Sequence, residues 1–439
     1  MNFSQFFALA KEKGIKESQL SFSRSKALSV SLFRHEIEDF RINDSQSVIA
    51  AGIVNGKFGS SRTEKLDKDT FSFLTDGILL TARLNEKEDT ADIFAGSEKY
   101  HKKSAYNPAL NDVRVEEKIS LIRSIEEAIY AADSRVADVE VGYTERESES
   151  AFYNSFGLKL KQKGNYFYIY AEVVMREGEV TKTNYNVFLE KDLNAFDKDA
   201  FVKETVKGAA RKFGADSIAS KKYPTIIDRE VMADLINYFL SSAIADEVQR
   251  HSSMLEGKLG TKIASSKLTI EERPLEKNVF FSYFDGEGVA TRNKVVVKNG
   301  VLQTYFYNRE TAKKDGVEST GNGTWGGGKV GTGFSNVFVK PGKQSFDELI
   351  SGIKDGVYIT EVAGLGTGMN ATSGDFSCQA EGFHIVDGKL AEPLTLITLS
   401  GNLLKMLGDL KGFANDAKMT LGSISVASAF IKSMNIGGK

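Results

Sequence analysis

One cysteine, Cys378, stands among 439 residues. An intramolecular disulfide framework is therefore excluded, and a lone thiol fits a reducing compartment. No apolar run approaches the roughly 18 residues that a membrane span requires. The opening stretch MNFSQFFALAKEKG places its lysines after a short apolar run, which reads as an amphipathic helix rather than a secretory signal. Charge of one sign is also missing. The 57 Lys and Arg against 59 Asp and Glu leave a formal net charge of −2, and the basic pairs Lys102-Lys103 and Lys313-Lys314 are isolated. Nucleic-acid binders concentrate a basic face, so no direct nucleic-acid partner is expected. The expectation is a cytoplasmic protein without a membrane partner.

What is present is ordinary globular material, 41% hydrophobic and 26% charged. The length exceeds one core, so two or three domains are expected. A helix from Phe3 to about Lys13 stops at Gly14. Alternating Leu28, Val30 and Leu32 mark a strand, and Val48–Val54, Asn55-Gly56 and Lys57–Arg62 read as a hairpin. A helix follows from about Lys68 to Arg83, capped by Asp67 or Asp69. A similar order then recurs. Helix 115–133 carries Ile119, Ile122, Ile125 and Ile129 at helical spacing. Strands are predicted at Val139–Tyr143, Gly157–Gln162, Tyr166–Met175 and Val180–Leu189, with a helix at 199–213. The junctions Asp67-Lys68-Asp69-Thr70-Phe71 and Asp197-Lys198-Asp199-Ala200-Phe201 match in pattern.

Periodicity lapses over 214–223 before Pro224, which sets the main boundary. Beyond it come strand Thr225–Ile227, Asp228 as an N-cap, and a long helix burying Val231, Leu235, Phe239 and Ser242. A hairpin turns at Lys298-Asn299-Gly300, and Ser345 with Glu348 forms a capping box. Later strands near 357–363, 376–387 and 394–400 alternate like half-buried ones. The predicted fold is α+β, with an N-terminal region of repeated meander-and-helix units. Its C-terminal domain is mainly antiparallel β with a long helix at its start. The domain expectation is 1–110, 111–220 and 221–439.

Between Gly316 and Asn402 lie 18 of the 40 glycines. Bare backbone serves where chains or ligands approach closely, so this tract reads as an extended-peptide or ligand surface. Its G-x-x-x-x-G-K run, Gly323 to Lys329, has Val330 where a phosphate loop needs Ser or Thr, and lacks the preceding apolar strand. Cys378 and His384 sit about 20 Å apart along one strand, too far to act as a pair. His35-Glu36 has no second histidine and reads as a solvated strand edge. Asp246-Glu247-Val248-Gln249-Arg250-His251, near the end of the long helix, has metal-ligand residue types with a Glu between them. Residues five apart lie about 140° apart on a regular helix, so one ion is reached only if the helix ends or distorts there.

Several motifs together resemble the TldD/PmbA family, also called modulators of DNA gyrase and related to metallopeptidases. They include Lys267-Leu-Thr-Ile-Glu-Glu-Arg-Pro274, Phe284-Asp-Gly-Glu-Gly-Val-Ala-Thr291 and Ser373-Gly-Asp-Phe-Ser-Cys-Gln-Ala-Glu-Gly-Phe383. Gly388-Lys389, Leu399-Ser-Gly-Asn402 and Met434-Asn-Ile-Gly-Gly438 complete the match. The third of these motifs resembles the PmbA branch, also called TldE. The resemblance implies an H-E-x-x-x-H helix and a C-terminal cysteine as metal site in the catalytic branch, with the Glu as base. Those positions fall here on Asp246, Glu247 and His251, and Lys418-Met-Thr-Leu-Gly-Ser-Ile-Ser has no cysteine.

The resemblance therefore implies a degenerate site with no metal in this chain, and zinc in a TldD-type partner. It further implies a two-subunit protease in which this chain helps hold an unfolded, extended peptide. Gly374, Asp375, Phe376, Ser377 and Gly382 are the peptide-binding candidates, since bare backbone can pair with any sequence. A surface built for a related subunit can also accept a copy of itself, so a homodimer of the isolated chain is compatible with this reading. Two alternatives stand beside it: an autonomous metallopeptidase using Asp246 and His251, and a non-proteolytic regulator of gyrase type.

Overall fold

The computed structural model describes residues 3–86, 92–326 and 329–439. Its N-terminal half is a helix, a three-stranded meander and a helix, in that order twice. The first set is α1 (Ser4–Glu12), β1 (Glu17–Phe33), β2 (Glu36–Val54), β3 (Lys57–Thr63) and α2 (Thr70–Leu84). After a short α3 (Ala109–Asp112) come α4 (Val115–Ala132), β4 (Val136–Asn154), β5 (Lys159–Glu177), β6 (Val180–Glu190) and α5 (Lys198–Ala210). The two meanders form one sheet of order β3-β2-β1-β4-β5-β6. Strands β1 and β4 join them antiparallel, from Gln19 opposite Asn154 to Phe33 opposite Glu140.

The strands are longer than alternation predicts. Residues 36–47 continue β2 although they are mostly exposed, Ile37, Phe40 and Ile42 included, because β1 supplies partners throughout, including a two-point Arg24–Asp44 contact at 2.8 and 2.6 Å. Of the pair His35-Glu36, exposed Glu36 begins β2, whereas His35 precedes it in a turn with Arg34. Arg34 and His35 have φ of 50° and 68° and form the β1–β2 turn. Lys163-Gly164-Asn165 does not break β5. Gly164 pairs with Ser148, and the Asn165 amide is held by both backbone groups of Asn107 at 2.8 and 2.7 Å. Asn55-Gly56 does turn the β2–β3 hairpin, with positive φ at both residues. Asp69 caps α2 by position only, its side chain making no cap bond.

The C-terminal half begins with β7 (Lys221–Ile227) and α6 (Arg229–Ser242), capped by the Asp228 side chain. Then follow α7 (Ala245–Gln249), β8 (Ile270–Glu272), β9 (Lys294–Lys298), β10 (Val301–Leu302), α8 (Arg309–Asp315), β11 (Gly323–Gly326), β12 (Lys329–Thr332) and β13 (Val337–Val339). Next are α9 (Phe346–Ile350), with the Ser345–Glu348 capping box, β14 (Asp355–Ala363), α10 (Leu365–Gly368), β15 (Asp375–Val386) and β16 (Lys389–Asn402). The chain closes with α11 (Leu403–Gly408), β17 (Leu410–Phe413), β18 (Lys418–Met419), β19 (Ile424–Val426) and β20 (Ala429–Gly437).

One sheet runs β16-β15-β14-β7-β20-β17, and β16 also pairs with β20, so five strands close into a ring. A second runs β10-β9-β8-β13-β19-β18. Pairing is antiparallel except at β14–β7 and β13–β19. Apolar side chains of the ring and of the second sheet share one core with α6, including Phe239, Ile359, Val297 and Leu399. This is the α+β architecture expected. The two halves meet where the 281–291 loop lies on β5: Tyr283 Oη accepts the Lys161 N–H and donates to its carbonyl, at 3.0 and 2.5 Å.

Candidate functional site

The Asp246–His251 segment is not the end of a long helix. Helix α6 stops at Ser242, Ile244 is extended, and α7 starts afresh. Phe306 interposes: its N–H donates to Ala243 and its carbonyl accepts from Ala245, at 2.8 and 2.9 Å. The break re-aims α7 towards β12, against which it packs. Asp246 and Arg250 line a cavity of about 410 Å³ with Gln249, Thr311, Lys314 and Asp315.

The side chains of the segment point to different tasks. The Glu247 carboxylate is bonded by the Arg250 guanidinium and by the Ser252 hydroxyl, the latter at 2.8 Å. His251 lies beyond α7 with φ of 60°, its ring 79% exposed and bound to Glu256 at 2.6 Å. Asp246 turns inward, and its Oδ2 is buried without a hydrogen-bond partner. In the Lys418–Ser425 segment, where the resemblance calls for a cysteine, Ser423 occupies a turn with φ of 61° between β18 and β19. Among the described residues no three of His, Cys, Asp and Glu form a metal cradle. With Glu247 and His251 each held by other groups, the segment does not offer a hydrolytic zinc ion the three converging protein ligands it takes.

Gly374, Asp375, Phe376, Ser377 and Gly382 lie on or beside β15, which β16 pairs from Asp375 onward and β14 pairs from Gln379 onward. Phe376 faces Gly401 on one edge and bridges Met369 on the other. Ser377 pairs with Ser400, and Gly382 lies between Leu394 and Ile359. Asp375 accepts from Asn402 and Ser373 at 2.9 and 2.8 Å, and these bonds hold its carboxyl below the usual range. Gly374 has φ of 79° beside Met254. A Cβ on Gly382 would stand 1.9 Å from the Tyr358 carbonyl. These glycines serve the closeness of the chain to itself.

Among the described residues β12 has a strand partner on one side only. The ribbon β11–β12 pairs only within itself, Gly323 with Thr332 through Gly326 with Lys329. The outer side of β11 is occupied: Asp285 accepts the Gly323 N–H at 2.8 Å, Gly286 donates to its carbonyl at 2.8 Å, and the Trp325 indole donates to Gly286 at 2.7 Å. Helix α7 lies against β12. Thr332 Oγ1 is buried and unpartnered, and with Asp246 Oδ2 it completes the set of such side-chain atoms among the described residues. The run Gly323–Lys329 is thus a hairpin rather than a strand-to-helix phosphate loop, with Gly327 and Gly328 outside the described residues.

A cavity of about 330 Å³ lies between this ribbon and the N-terminal sheet, lined by Phe22, Gln162, Ser282, Asp285, Trp325 and Phe334 among others. At its wall Glu272 and Lys294 form a buried ion pair, joined by the Asn322 amide. Burial pushes the Asp285 carboxyl up to about 6, although it accepts three backbone N–H groups. Burial and the neighbouring Asp285 push Glu287 up to about 7. The sequence marks both residues only as part of a glycine-flanked motif. Their burial depends on Gly323 and Arg309, which are distant along the chain.

Comparison with known proteins follows this geometry. Residues 220–438 match the PmbA/TldA metallopeptidase C-terminal domain, and residues 108–213 the PmbA/TldA metallopeptidase central domain. A metalloprotease of Methanothermobacter thermautotrophicus is 33% identical over 324 residues, 71% of this chain and 69% of that protein. Metalloprotease PmbA of Escherichia coli O157:H7 is 24% identical over 96% of this chain and 92% of its own length. A crystal structure of a proposed modulator of a DNA gyrase from Thermotoga maritima MSB8 superposes with a TM-score of 0.92 at 28% identity, covering 99% of both chains. TldE from Thermococcus kodakarensis shares the fold, with a TM-score of 0.91 at 23% identity over 99% of this chain and 100% of its own. Conserved domains over most of its length and a relative at one-third identity place this chain in the TldD/PmbA family.

Proposed function

We propose that this chain is a non-catalytic, PmbA/TldE-type subunit that holds an extended peptide for a TldD-type metal-bearing partner in the cytoplasm. One observation carries the reading. Beyond β11, β12 has no paired strand among the described residues, and β12 and the neighbouring α7 hold the buried unpartnered atoms Thr332 Oγ1 and Asp246 Oδ2. A buried polar atom without a partner costs about 1–3 kcal/mol, so a ligand with donors and acceptors is favoured there. An extended peptide adding to β12 offers its main chain for pairing, which makes capture insensitive to sequence. Glu247 and His251, held by Arg250, Ser252 and Glu256, stay out of the chemistry.

The experiment is peptide cleavage together with metal analysis, on the isolated chain and after adding a TldD-type partner. The expected result is substoichiometric zinc and no turnover alone, with cleavage of unstructured peptides in the mixture. Turnover by the lone chain that Glu247→Gln abolishes would establish an autonomous peptidase instead.

A further inference from the structure

A cavity of about 810 Å³, sharing no lining residue with the two already described, opens between α1, the ends of β4 and β5, and the segment preceding α3. Its size suits a small organic ligand, for which pockets run about 300–1,000 Å³. The floor is aromatic and apolar: Phe3, Phe7, Tyr153, Leu158 and Tyr283 line it, and the Phe3 and Tyr153 rings lie 5.2 Å apart. Polar groups at the floor are already satisfied. Tyr283 is bonded to both backbone groups of Lys161, and Asn154 donates to Phe94 and accepts from Phe156 and Leu158.

The rim is cationic. Lys102 and Lys103 come from the segment before α3, and Lys159 and Lys161 from β5, where all four are exposed. No Asp or Glu lines the cavity. Lys163, two residues further along β5, is paired with Glu147 at 3.0 Å. The four rim lysines have no such partner among the described residues. Four ammonium groups without an acidic partner at the rim of an apolar floor favour an anion bound there.

We propose that this cavity binds a small amphipathic anion, an aromatic or acyl body carrying a carboxylate, sulfonate or phosphate. The body stacks on Tyr153 and Phe3, and the head group reaches the lysines. The test is fluorescence titration of the full chain with 8-anilinonaphthalene-1-sulfonate and, in parallel, with uncharged N-phenyl-1-naphthylamine. One sulfonate per chain is expected. The paired changes Lys102→Gln with Lys103→Gln, and Lys159→Gln with Lys161→Gln, should each weaken the sulfonate at least tenfold while leaving the neutral ring unchanged. Tyr153→Ala should weaken both. Exposed lysines leave folding intact, which unchanged melting curves verify. Sulfonate affinity indifferent to all four lysines, or several dyes per chain, overturns the proposal. So does a dimer in sedimentation that these lysine changes dissociate, since the cavity would then be covered by a second copy. Preferential binding to phosphatidylglycerol vesicles over the soluble dye would overturn it too, as the surface would be a membrane contact.

Discussion

Asp246 on α7 and Thr332 on β12 each bury a side-chain oxygen with no hydrogen-bond partner, and the elements that carry them pack together. Both atoms belong to the stretch where an extended peptide would lie. Replacing Thr332 by Val removes an unsatisfied hydroxyl at nearly constant volume. The free protein should gain about 1 kcal/mol in urea unfolding, and peptide retained in the complex should fall. A loss of stability would show that the hydroxyl is paired in the folded chain, removing half of the argument for a ligand at β12.

Glu287 provides a pH dependence with a defined sign. Burial raises its carboxyl from 4.5 to about 7, so the folded state favours the protonated form. That contribution is complete below the unfolded value and is lost as pH rises through about 7. Glu287→Gln keeps an acceptor for the Arg309 N–H without titrating. The stability of wild type relative to this variant should therefore fall by roughly 3 kcal/mol between about pH 5 and pH 8. Urea midpoints across that range measure it, and parallel profiles would contradict the burial seen.

Two glycines of the C-terminal half should respond oppositely to alanine. A Cβ at Gly382 meets the Tyr358 carbonyl at 1.9 Å, and the backbone there is paired on both sides. Gly382→Ala should lose more than about 2 kcal/mol. Gly408 ends α11, is exposed and has nothing within 4 Å of its missing Cβ. Gly408→Ala should gain about 0.5 kcal/mol from helix propensity. Chemical denaturation of both variants decides it. A tolerated Gly382→Ala would return β15 to consideration as a bare ligand surface.

Cys378 is buried in the ring core, and burial pushes its thiol up to about 11. A thiol so protonated is a poor nucleophile. Native protein should therefore leave a disulfide dye such as 5,5′-dithiobis(2-nitrobenzoate) unreacted near pH 8, and release one equivalent after unfolding. Rapid native reaction would place the thiol at an accessible, electropositive site.

Much of this was legible from residue order. Asn55-Gly56 and Asn299-Gly300 turn hairpins with positive φ at each residue, as their short side chains and missing Cβ favour. Ser345 with Glu348 and Asp228 cap helices through bonds only a few residues long. The α+β class followed from apolar periodicity. Family membership followed from linear motifs, which need no folded structure to be recognised.

The chain by itself determined its local elements and the residue types available between Asp246 and His251. Tertiary structure alone decided how those residues are used. Phe306, distant in sequence, breaks the helix before Ala245. Strand β16 pairs β15 from Asp375 and β14 only from Gln379, while β12 pairs with β11 alone. Local elements depend on short-range backbone preference and periodicity. A free edge or an unpartnered atom depends on what every other segment leaves uncovered, a property of the whole packed molecule.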